Sequence, residues 1–347
     1  MRLMILGTGG MAGNHAEAFG AIAGVEVVAG VDTNAHRLAA FLAKHGVARG
    51  FAGLEAALDW GGFDAVANVT PDGAHYATTL PLLAAGKHVL CEKPLATTAA
   101  DAAGMAQAAA DAGVVGMVNL SYRRVPALQE AARLVRAGAI GRVRHLEAAY
   151  LQSWLVQPAW GDWRSQDQWL WRLSSAHGSK GVLGDVGVHI LDFASFAAGE
   201  EVVEVSCRLA TFDKTPGGRI GAYVLDANDS AVMHVRLSGG ALGTVTATRV
   251  AAGHLNDLTL RIHGECGGLE VGFVGGVSRL RGCLGADVPM AVWRDLGAPE
   301  APTVYQRFAA AVREEGLADP DFARGAALQR VLDRAEQSAA EGRVLAV

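Results

Sequence analysis

Short apolar runs alternate with alanine-rich stretches over the first third of the chain. The runs that we predict to be strands are Leu3–Leu6, Val25–Val31, Ala65–Val69, His88–Cys91 and Val114–Val118. Helices are predicted between them, for example over Thr98–Ala112. Continuous apolar strands separated by helices are typical of a doubly wound parallel sheet, whose two faces are both buried. The pattern therefore predicts an α/β domain with a parallel sheet over residues 1–122.

The pattern changes from Val143 onward, where longer segments alternate polar and apolar residues. Such alternation is typical of a sheet with one buried face. The predicted strands are Arg144–Gln152, Val202–Thr211, Ala231–Leu237, Ala241–Val250, Leu258–His263 and Gly268–Phe273. Ser238–Gly240 and Gly264–Gly267 are predicted hairpin connections. We therefore expect a second α/β domain over residues 123–347, with an open, mainly antiparallel sheet. Its C-terminal helix, Phe322–Ala340, is a candidate to pack back on the first domain.

A glycine-rich loop, Gly7–Ala12, follows the first predicted strand and opens a helix. Gly7 permits a tight turn, Gly9 lets the backbone approach a pyrophosphate, and Ala12 allows close packing of helix and strand. The free amides and the dipole at the start of the helix favour an anion. We therefore predict that the loop binds a dinucleotide.

Asp32 ends the second predicted strand, where an acidic residue accepts hydrogen bonds from the adenine ribose hydroxyls. Its carboxylate would repel a 2′-phosphate, so we expect NAD rather than NADP. Arg37 offers a phosphate contact that would soften this preference. Asp32 also has a structural interpretation, as the cap of the helix that begins near Ala35.

Two further strand ends carry polar residues. Ligands of an open parallel sheet bind outside the carboxyl ends of its strands, so side chains there point into the cleft. Thr70, Pro71 and His75 are expected to border the ribose and the nicotinamide. Lys93 lies directly before a proline that stops the fourth strand, and it is a candidate for chemistry. The alternative interpretations are a simple strand stop at Pro71 and a solvated lysine.

Asp185 and His189 lie four residues apart within Gly184–Asp192. A helix would place both on one face, with Asp192 a further turn along. A carboxylate beside an imidazole orients the ring and raises its basicity, which suits proton transfer near neutral pH. A structural hydrogen bond between the two residues is the alternative.

Five of the seven tryptophans lie within 18 residues just before this segment: Trp154, Trp160, Trp163, Trp169 and Trp171. Indole faces stack on the C–H faces of sugar rings, and neighbouring polar side chains offer hydrogen bonds to hydroxyls. These polar residues are Gln152, Asp162, Arg164, Gln168 and Arg172. The composition fits a packed loop or a subunit interface equally well. Tyr122 and Arg123 are further candidates for the cleft.

Composition narrows the class of partner. The chain has 347 residues, enough for two domains, and its net charge of −5 offers no basic face for nucleic acid. No uncharged apolar run reaches the ~18 residues that a membrane span requires, and we interpret the apolar start as a strand rather than a signal peptide. The four cysteines include no close-spaced pair for zinc and are too few for a disulfide scaffold. We therefore expect no metal, a small-molecule partner and a cytoplasmic location.

The Gly7–Ala12 loop, the Cys91–Leu95 segment and Gly184–Asp192 together resemble the Gfo/Idh/MocA family, which includes glucose-fructose oxidoreductase and inositol dehydrogenase. The resemblance continues through Thr70–Pro71, His75, Gly86–Val89 and Phe322–Ala340, and so covers nearly the whole chain. It implies a Rossmann domain and an α/β domain with the nicotinamide between them. It also implies an NAD(P)-dependent oxidoreductase of a sugar or cyclitol that forms a dimer or tetramer through its open sheet.

Carried onto this chain, the resemblance implies that Lys93 hydrogen-bonds the reacting oxygen and that His189 is the acid/base. Asp185 would bind a substrate hydroxyl or orient His189, and the peptide bond before Pro94 would be cis. The full predicted cofactor set is Gly7, Gly9, Gly10, Met11, Ala12, Asp32, Thr33, Arg37, Thr70, Pro71, His75, Glu92, Lys93, Asn119, Trp171 and Arg172. The predicted substrate set is Lys93, Tyr122, Arg123, Gln152, Trp154, Trp163, Arg164, Asp185 and His189.

The chain departs from the family pattern at His177–Gly181, where members often have a glycine-rich run. Lys180 is predicted either to meet a phosphate or acidic group of the substrate or to be solvated. Two other functions stay open. One is a tightly held NAD used transiently for epimerisation, elimination or sugar-to-sugar hydride exchange, and the other is a non-enzymatic nucleotide sensor. The presence of both Lys93 and His189 favours an enzyme.

Overall fold

The chain divides into two compact units. The computed structural model describes the backbone of residues 1–347 and every side chain except those of 167 and 168, so the predicted role of Gln168 lies outside the described residues. The first unit is Met1–Ser121 with Pro302–Gln329, and the second is Tyr122–Ala301 with Arg330–Val347. The sequence-based division places residues 123–347 together, with the C-terminal helix alone as a candidate to pack on the first domain. Residues 302–329 join the first unit because Val304 and Phe308 pack in the same hydrophobic cluster as Leu3 and Phe19.

The first unit is built on six parallel strands. Its elements before residue 122 are β1 Arg2–Leu6, α1 Ala12–Gly20, β2 Glu26–Val31, α2 Ala35–His45, β3 Arg49–Phe51, α3 Leu54–Trp60, β4 Ala65–Asn68, α4 His75–Ala84, β5 His88–Cys91, α5 Ala99–Ala112 and β6 Gly116–Val118. The strand order is β3-β2-β1-β4-β5-β6, and all pairs are parallel. In this order the chain changes direction between β1 and β4, which is where doubly wound sheets bind their ligands. The predicted parallel sheet is confirmed.

The second unit begins with an amphipathic helix and continues into a large sheet. Its elements before residue 302 are α6 Pro126–Arg136, β7 Val143–Leu151, α7 Asp167–Leu170, α8 Val188–Ala198, β8 Val202–Ala210, β9 Arg219–Ile220, β10 Tyr223–Val224, β11 Ser230–Leu237, β12 Leu242–Thr248, β13 Asp257–Gly264, β14 Gly267–Val274, β15 Val277–Leu284 and β16 Arg294–Leu296. The chain ends with α9 Val304–Val312, α10 Phe322–Glu341 and β17 Leu345–Ala346.

Nine of these strands form one open sheet in the order β16-β15-β14-β13-β7-β12-β11-β8-β17. Its pairs are antiparallel except that β12 runs parallel to β7, which confirms the mainly antiparallel sheet. The two predicted hairpins connect β11 to β12 and β13 to β14. Helix α8 is buried along most of its length and packs against β7, β12 and β13. Among the described residues, no helix is long and apolar enough to cross a bilayer.

Candidate active site

The glycine-rich loop lies at the carboxyl end of β1. Gly7 adopts a positive φ of 87° and donates from its amide to the Val31 carbonyl oxygen at 2.8 Å. A Cβ on Gly7 would lie 2.8 Å from the Val69 carbonyl oxygen, so a larger residue would displace the strand end. A Cβ on Gly9 or Gly10 would meet nothing within 4 Å. The backbone there is open to a phosphate group, and Met11 at the start of α1 has no side-chain oxygen to occupy the helix amides.

Asp32 holds the glycine-rich loop in place. Its Oδ2 accepts hydrogen bonds from the amide and the hydroxyl of Thr8, both at 2.9 Å. Its Oδ1 accepts from the Asn34 amide at 2.7 Å and from Arg37 Nη2 at 3.3 Å. Burial raises the pKa of Asp32, but these hydrogen bonds and the Arg37 charge outweigh it and lower the pKa. The cap of α2 is Asn34, which accepts from the Arg37 amide, so the interpretation of Asp32 as that cap was wrong.

We predict that the wild type prefers NAD and that Asp32→Asn lowers this preference at least about tenfold, because two like charges near one site repel each other. Asparagine retains an oxygen that can accept from Thr8. The measurement is the ratio of Kd values for NADH and NADPH. Asp64→Asn is the matched control, because Asp64 precedes β4 at the amino edge of the sheet and binds Arg2. A wild type that prefers NADP would refute the assignment.

Glu92, directly after β5, connects three elements. Its Oε1 accepts from His15 Nε2 on α1 and from Asn119 Nδ2 after β6, both at 2.7 Å. Its Oε2 accepts from the Lys93 amide at 3.1 Å. Burial raises the pKa of Glu92, but the hydrogen bond and charge of His15 and the charge of Lys93 lower it to about 2. Glu92 is therefore a fixed negative charge beside Lys93. His15 and Tyr305, whose hydroxyl lies 3.3 Å from Asn119 Nδ2, are site residues that the sequence-based reasoning missed.

Lys93 is half-buried at the carboxyl end of the sheet. The peptide bond between Lys93 and Pro94 is cis, which confirms the expectation from the resemblance. Thr70 and Pro71 follow β4, at the neighbouring strand end. The Thr70 hydroxyl donates to Asn68 Oδ1 at 2.7 Å, so this turn is fixed by the strand that precedes it.

His75 is completely buried, and both ring nitrogens face backbone carbonyl oxygens. Nδ1 lies 2.9 Å from the Pro94 oxygen, and Nε2 lies 2.9 Å from the Thr70 oxygen. A carbonyl oxygen only accepts, so both nitrogens must donate and the ring carries a positive charge. Burial lowers the pKa of His75, but Cys91, Asp72 and the Pro94 carbonyl raise it to about 10. The predicted direct contact of His75 with the cofactor is therefore wrong for this geometry, because the ring joins two strand-end turns instead.

The raised pKa of His75 predicts a pH-dependent stability. The proton stabilises the folded state fully below the ordinary histidine pKa of about 6.5, and this contribution is lost as pH rises through about 10. We expect the difference in free energy of unfolding between wild type and His75→Gln to shrink steadily over this interval. Urea unfolding at several pH values measures it. A difference that stays constant from neutral to alkaline pH would contradict the charged ring.

In the second unit, Asp185 lies on the predicted helical segment, but in a π-helical turn. Leu183–Gly187 forms this turn and α8 follows without a break from Val188, so the predicted regular α-helical spacing of Asp185 and His189 is corrected. Such turns are frequent at functional sites. Asp185 Oδ2 accepts from Arg249 Nη2 at 3.1 Å and lies 3.9 Å from Arg172 Nε. The sequence-based reasoning missed Arg249.

His189 packs against the rings of Tyr122 and Tyr150. His189 is 7% exposed, and its ring is perpendicular to that of Tyr122, with ring centres 5.0 Å apart. The hydroxyls of Tyr122 and Tyr150 are hydrogen-bonded, and Tyr150 donates to Asn256 Oδ1 at 2.8 Å. Burial and the interaction with Tyr122 raise the pKa of Tyr150 well above its usual value, so its hydroxyl stays protonated. Gln152 Nε2 donates to the same Asn256 oxygen at 2.8 Å. Tyr150 and Asn256 were also missed.

Several predicted substrate residues have structural contacts instead. Trp154 and Trp163 are each 3% exposed and pack with Leu155, Leu170 and Leu173, so their indole faces are not available as the predicted sugar platform.

Arg123 is 2% exposed and forms a bidentate ion pair with Asp192, at 2.6 and 2.8 Å, so its predicted place in the cleft is also corrected. The other basic side chains of the predicted site, Arg164, Arg172 and Lys180, lie nearer the surface. The guanidinium of Arg172 lies 4.7 Å from the centre of the Trp171 ring, and that of Arg164 lies 4.5 Å from Trp163. Lys180 Nζ donates to Glu336 Oε2 at 3.1 Å, so an acidic group of the chain itself meets the lysine.

Comparison with known proteins supports both halves of the fold. Residues 1–120 match the oxidoreductase family with an NAD-binding Rossmann fold, and residues 128–270 match the GFO/IDH/MocA C-terminal domain. Levoglucosan dehydrogenase of Pseudarthrobacter phenanthrenivorans is 33% identical over 214 residues, which cover 58% of this chain and 53% of that protein. D-apiose dehydrogenase of Paraburkholderia graminis is 31% identical over 234 residues, which cover 67% of this chain and 58% of that protein.

The chain spans about half the length of the curated relatives that it matches. A solved structure of levoglucosan dehydrogenase in complex with NADH has a TM-score of 0.88 at 26% identity, and the match covers 100% of this chain and 99% of that one. These likenesses confirm the predicted α/β architecture and the NAD-binding class of the first unit.

Proposed function

Because the chain belongs to the Gfo/Idh/MocA family of oxidoreductases, we propose that it is an NAD-dependent dehydrogenase of a sugar or cyclitol. The reaction would move a hydride between the nicotinamide and a hydroxyl or carbonyl carbon of the substrate. The observation that carries the proposal is that the chain has a lysine at the carboxyl end of the Rossmann sheet and also has Asp185 and His189, on the π-helical turn and on the first turn of α8. A nucleotide sensor would require neither feature.

The residues of the first unit would hold the cofactor and the reacting oxygen. The open backbone at Gly9 and Gly10 would bind the pyrophosphate, and Asp32 would accept hydrogen bonds from the adenine ribose. NAD, when bound, supplies the hydride acceptor. Lys93 would donate a hydrogen bond to the reacting oxygen, and the fixed negative charge of Glu92 stabilises its ammonium form.

The residues of the second unit would transfer the proton and orient the substrate. His189 would take the proton of the hydroxyl during oxidation and return it during reduction, a role that imidazole side chains commonly fill. Its ring is held edge-on to Tyr122, so its orientation is set before the substrate arrives. Asp185 would accept a hydrogen bond from a second hydroxyl of the substrate.

We propose an uncharged substrate. The predicted anion contact at Lys180 is taken by Glu336, and the carboxylate of Asp185 would repel an acidic group. Levoglucosan and D-apiose, for which two of the relatives are named, are uncharged sugars. The same relatives favour net dehydrogenation over transient oxidation with a retained cofactor.

The test is a panel of neutral sugars, anhydrosugars and cyclitols, with sugar acids and sugar phosphates as matched charged analogues. Each compound is incubated with the protein and NAD, and the absorbance of NADH is followed. We expect reduction of NAD with at least one neutral member and higher kcat/KM than with its charged analogue. Conversion of a sugar without release of NADH would favour the transient-oxidation alternative. No conversion of any member, with NADH bound normally, would count against a sugar dehydrogenase.

We further propose that the enzyme acts in the cytoplasm as a homodimer or homotetramer. The open face of the nine-stranded sheet would form the contact, because it presents alternating charges that suit an interface between identical copies. These residues include Glu147, Arg261, Glu270, Arg279 and Arg281. Light scattering of the purified protein measures the state, and a monomer at micromolar concentration would contradict the proposal.

A further inference from the structure

Arg249 is a charged side chain in a place where charges are rare. It directly follows β12, and its side chain is completely buried. Nη2 donates to Asp185 Oδ2 at 3.1 Å, and Nη1 donates to the Arg172 carbonyl oxygen at 3.0 Å. The guanidinium carbon lies 5.1 Å from the centre of the Trp154 ring.

Burying the guanidinium of Arg249 costs free energy, and the contact with Asp185 offsets part of that cost. Removing a guanidinium from water is unfavourable unless anions and hydrogen-bond acceptors replace the water. Burial lowers the pKa of Arg249, while Asp185 and Asp229 raise it. Asp229 is itself buried and binds Lys214, so it is largely neutralised from its other side. The side chain of Asp185 is 24% exposed. Its carboxylate therefore contacts both the buried guanidinium of Arg249 and the solvent at the surface of the second unit.

We propose that Arg249 is a positioning residue, which keeps Asp185 ionised and fixes the plane of its carboxylate by binding Oδ2. This inference rests on the role of Asp185 in the proposed function. An ionised and fixed carboxylate accepts hydrogen bonds but donates none, so it selects a substrate group that donates. Arg249 therefore sets the preference for a hydroxyl over a carboxylate or phosphate, although it does not itself contact the substrate.

The π-helical turn supports the same interpretation. Its widened geometry occurs at Leu183–Gly187, the stretch that carries Asp185, while α8 continues as a regular helix from Val188. Gly184 in this turn faces the Lys180 side chain so closely that a Cβ would lie 2.4 Å from the Lys180 Cβ. Local packing and the bond to Arg249 thus act on the same short segment.

A pH measurement can separate positioning from mere packing. The titratable and charged groups around Asp185 and Arg249 are Arg172, Lys180 with Glu336, His189, Tyr150, and Asp229 with Lys214. Arg249 Nη2 donates to Asp185 Oδ2 at 3.1 Å, and Arg172 Nε lies at 3.9 Å from the same oxygen. Loss of its charge should therefore make Asp185 easier to protonate.

The experiment compares Arg249→Gln and Arg249→Lys with wild type, using the best neutral substrate of the panel. We expect Arg249→Gln to raise the pH at which Asp185 binds a proton by about one to three units, the usual effect of losing an adjacent opposite charge. The infrared band of the protonated Asp185 carboxyl, taken in each variant minus the same variant with Asp185→Asn, measures this pH separately from His189, the proposed base, whose protonation also lowers kcat/KM. Arg249→Lys retains the charge and should shift this pH much less, although its loss of the two-pronged geometry lowers kcat/KM. Arg236→Gln is the matched control, because it also breaks an ion pair but one whose partner is Glu204.

Two outcomes would overturn the inference: a protonation pH of Asp185 that stays in place in Arg249→Gln, or one that moves equally in Arg236→Gln. Should Arg249→Gln fail to fold, the same infrared difference spectra of wild type and Arg249→Lys test the point. The protonated carboxyl band of Asp185 should be absent from both at neutral and mildly acidic pH, and its presence there would overturn the inference. An Asp185→Asn variant with normal kcat/KM would instead refute the role of Asp185 in the proposed function.

Discussion

Replacing Lys93 with alanine or methionine is expected to lower kcat at least about 100-fold, the usual scale for a positioned acid or hydrogen-bond donor at the reacting atom. Lys93 is a strong candidate because Glu92, its neighbour, is held ionised and maintains a charged ammonium. His189→Ala should have an effect of similar size, because it removes the proposed acid/base. The affinity for NADH, measured by fluorescence titration, should change little in either variant.

Lys87→Met is the matched control for Lys93. Lys87 lies at the amino end of the same strand, where its Nζ donates to the Phe63 carbonyl oxygen at 2.7 Å. Removal of a lysine from that edge should leave kcat nearly unchanged. If Lys93→Met turns over substrate as fast as Lys87→Met does, Lys93 is not catalytic. If His189→Ala keeps near-normal turnover, the proton is moved by another group.

Breaking the ion pair between Arg123 and Asp192 is expected to cause the largest loss of stability. Both side chains are almost completely buried, and the guanidinium also lies 3.7 Å from the centre of the Phe196 ring. Arg123→Met leaves the carboxylate of Asp192 buried without its cation, which typically costs about 3–5 kcal/mol. Urea unfolding measures the loss.

Two further variants show whether the stranded charge is the cause. The double variant Arg123→Met/Asp192→Leu removes both charges, so it should recover a large part of the lost stability. Arg144→Met breaks a pair with Glu265 that is about half exposed on both sides, and it should change the unfolding midpoint much less. An Arg123→Met protein as stable as Arg144→Met would show that the buried pair contributes little.

The parts of the site that could be predicted from the sequence are those whose residues are neighbours along the chain. Gly7 to Ala12 follow a strand and begin a helix, so their geometry is set locally, and the cis bond before Pro94 belongs to a short motif. The glycine-rich loop also needs Asp32, which lies only one β-α-β step away. Such features need little knowledge of the remaining chain.

The missed features depend on contacts between distant residues. Arg249 is 64 residues from Asp185, and Asn256 is 106 residues from Tyr150, so only the folded sheet brings them together. The burial of individual side chains could not be predicted from the sequence either. Trp154, Trp163 and Arg123 have the chemistry of a sugar site, and their enclosure by other side chains decides that they stabilise the fold. Strand β3 was missed because it has three residues, one of them a glycine that rarely marks a strand.

The π-helical turn also has an evolutionary consequence. A π turn holds one residue more than an α-helical turn, and it persists although the regular hydrogen-bond ladder would be more stable. Deleting a single residue from Leu183–Gly187 would restore that ladder, but it would rotate Asp185 by roughly 100° relative to His189, the angle of one residue in an α-helix. Selection for a sturdier helix and selection for aligned side chains therefore act in opposite directions on this segment. A related protein with one residue fewer in this segment would have lost the relative orientation of the two side chains.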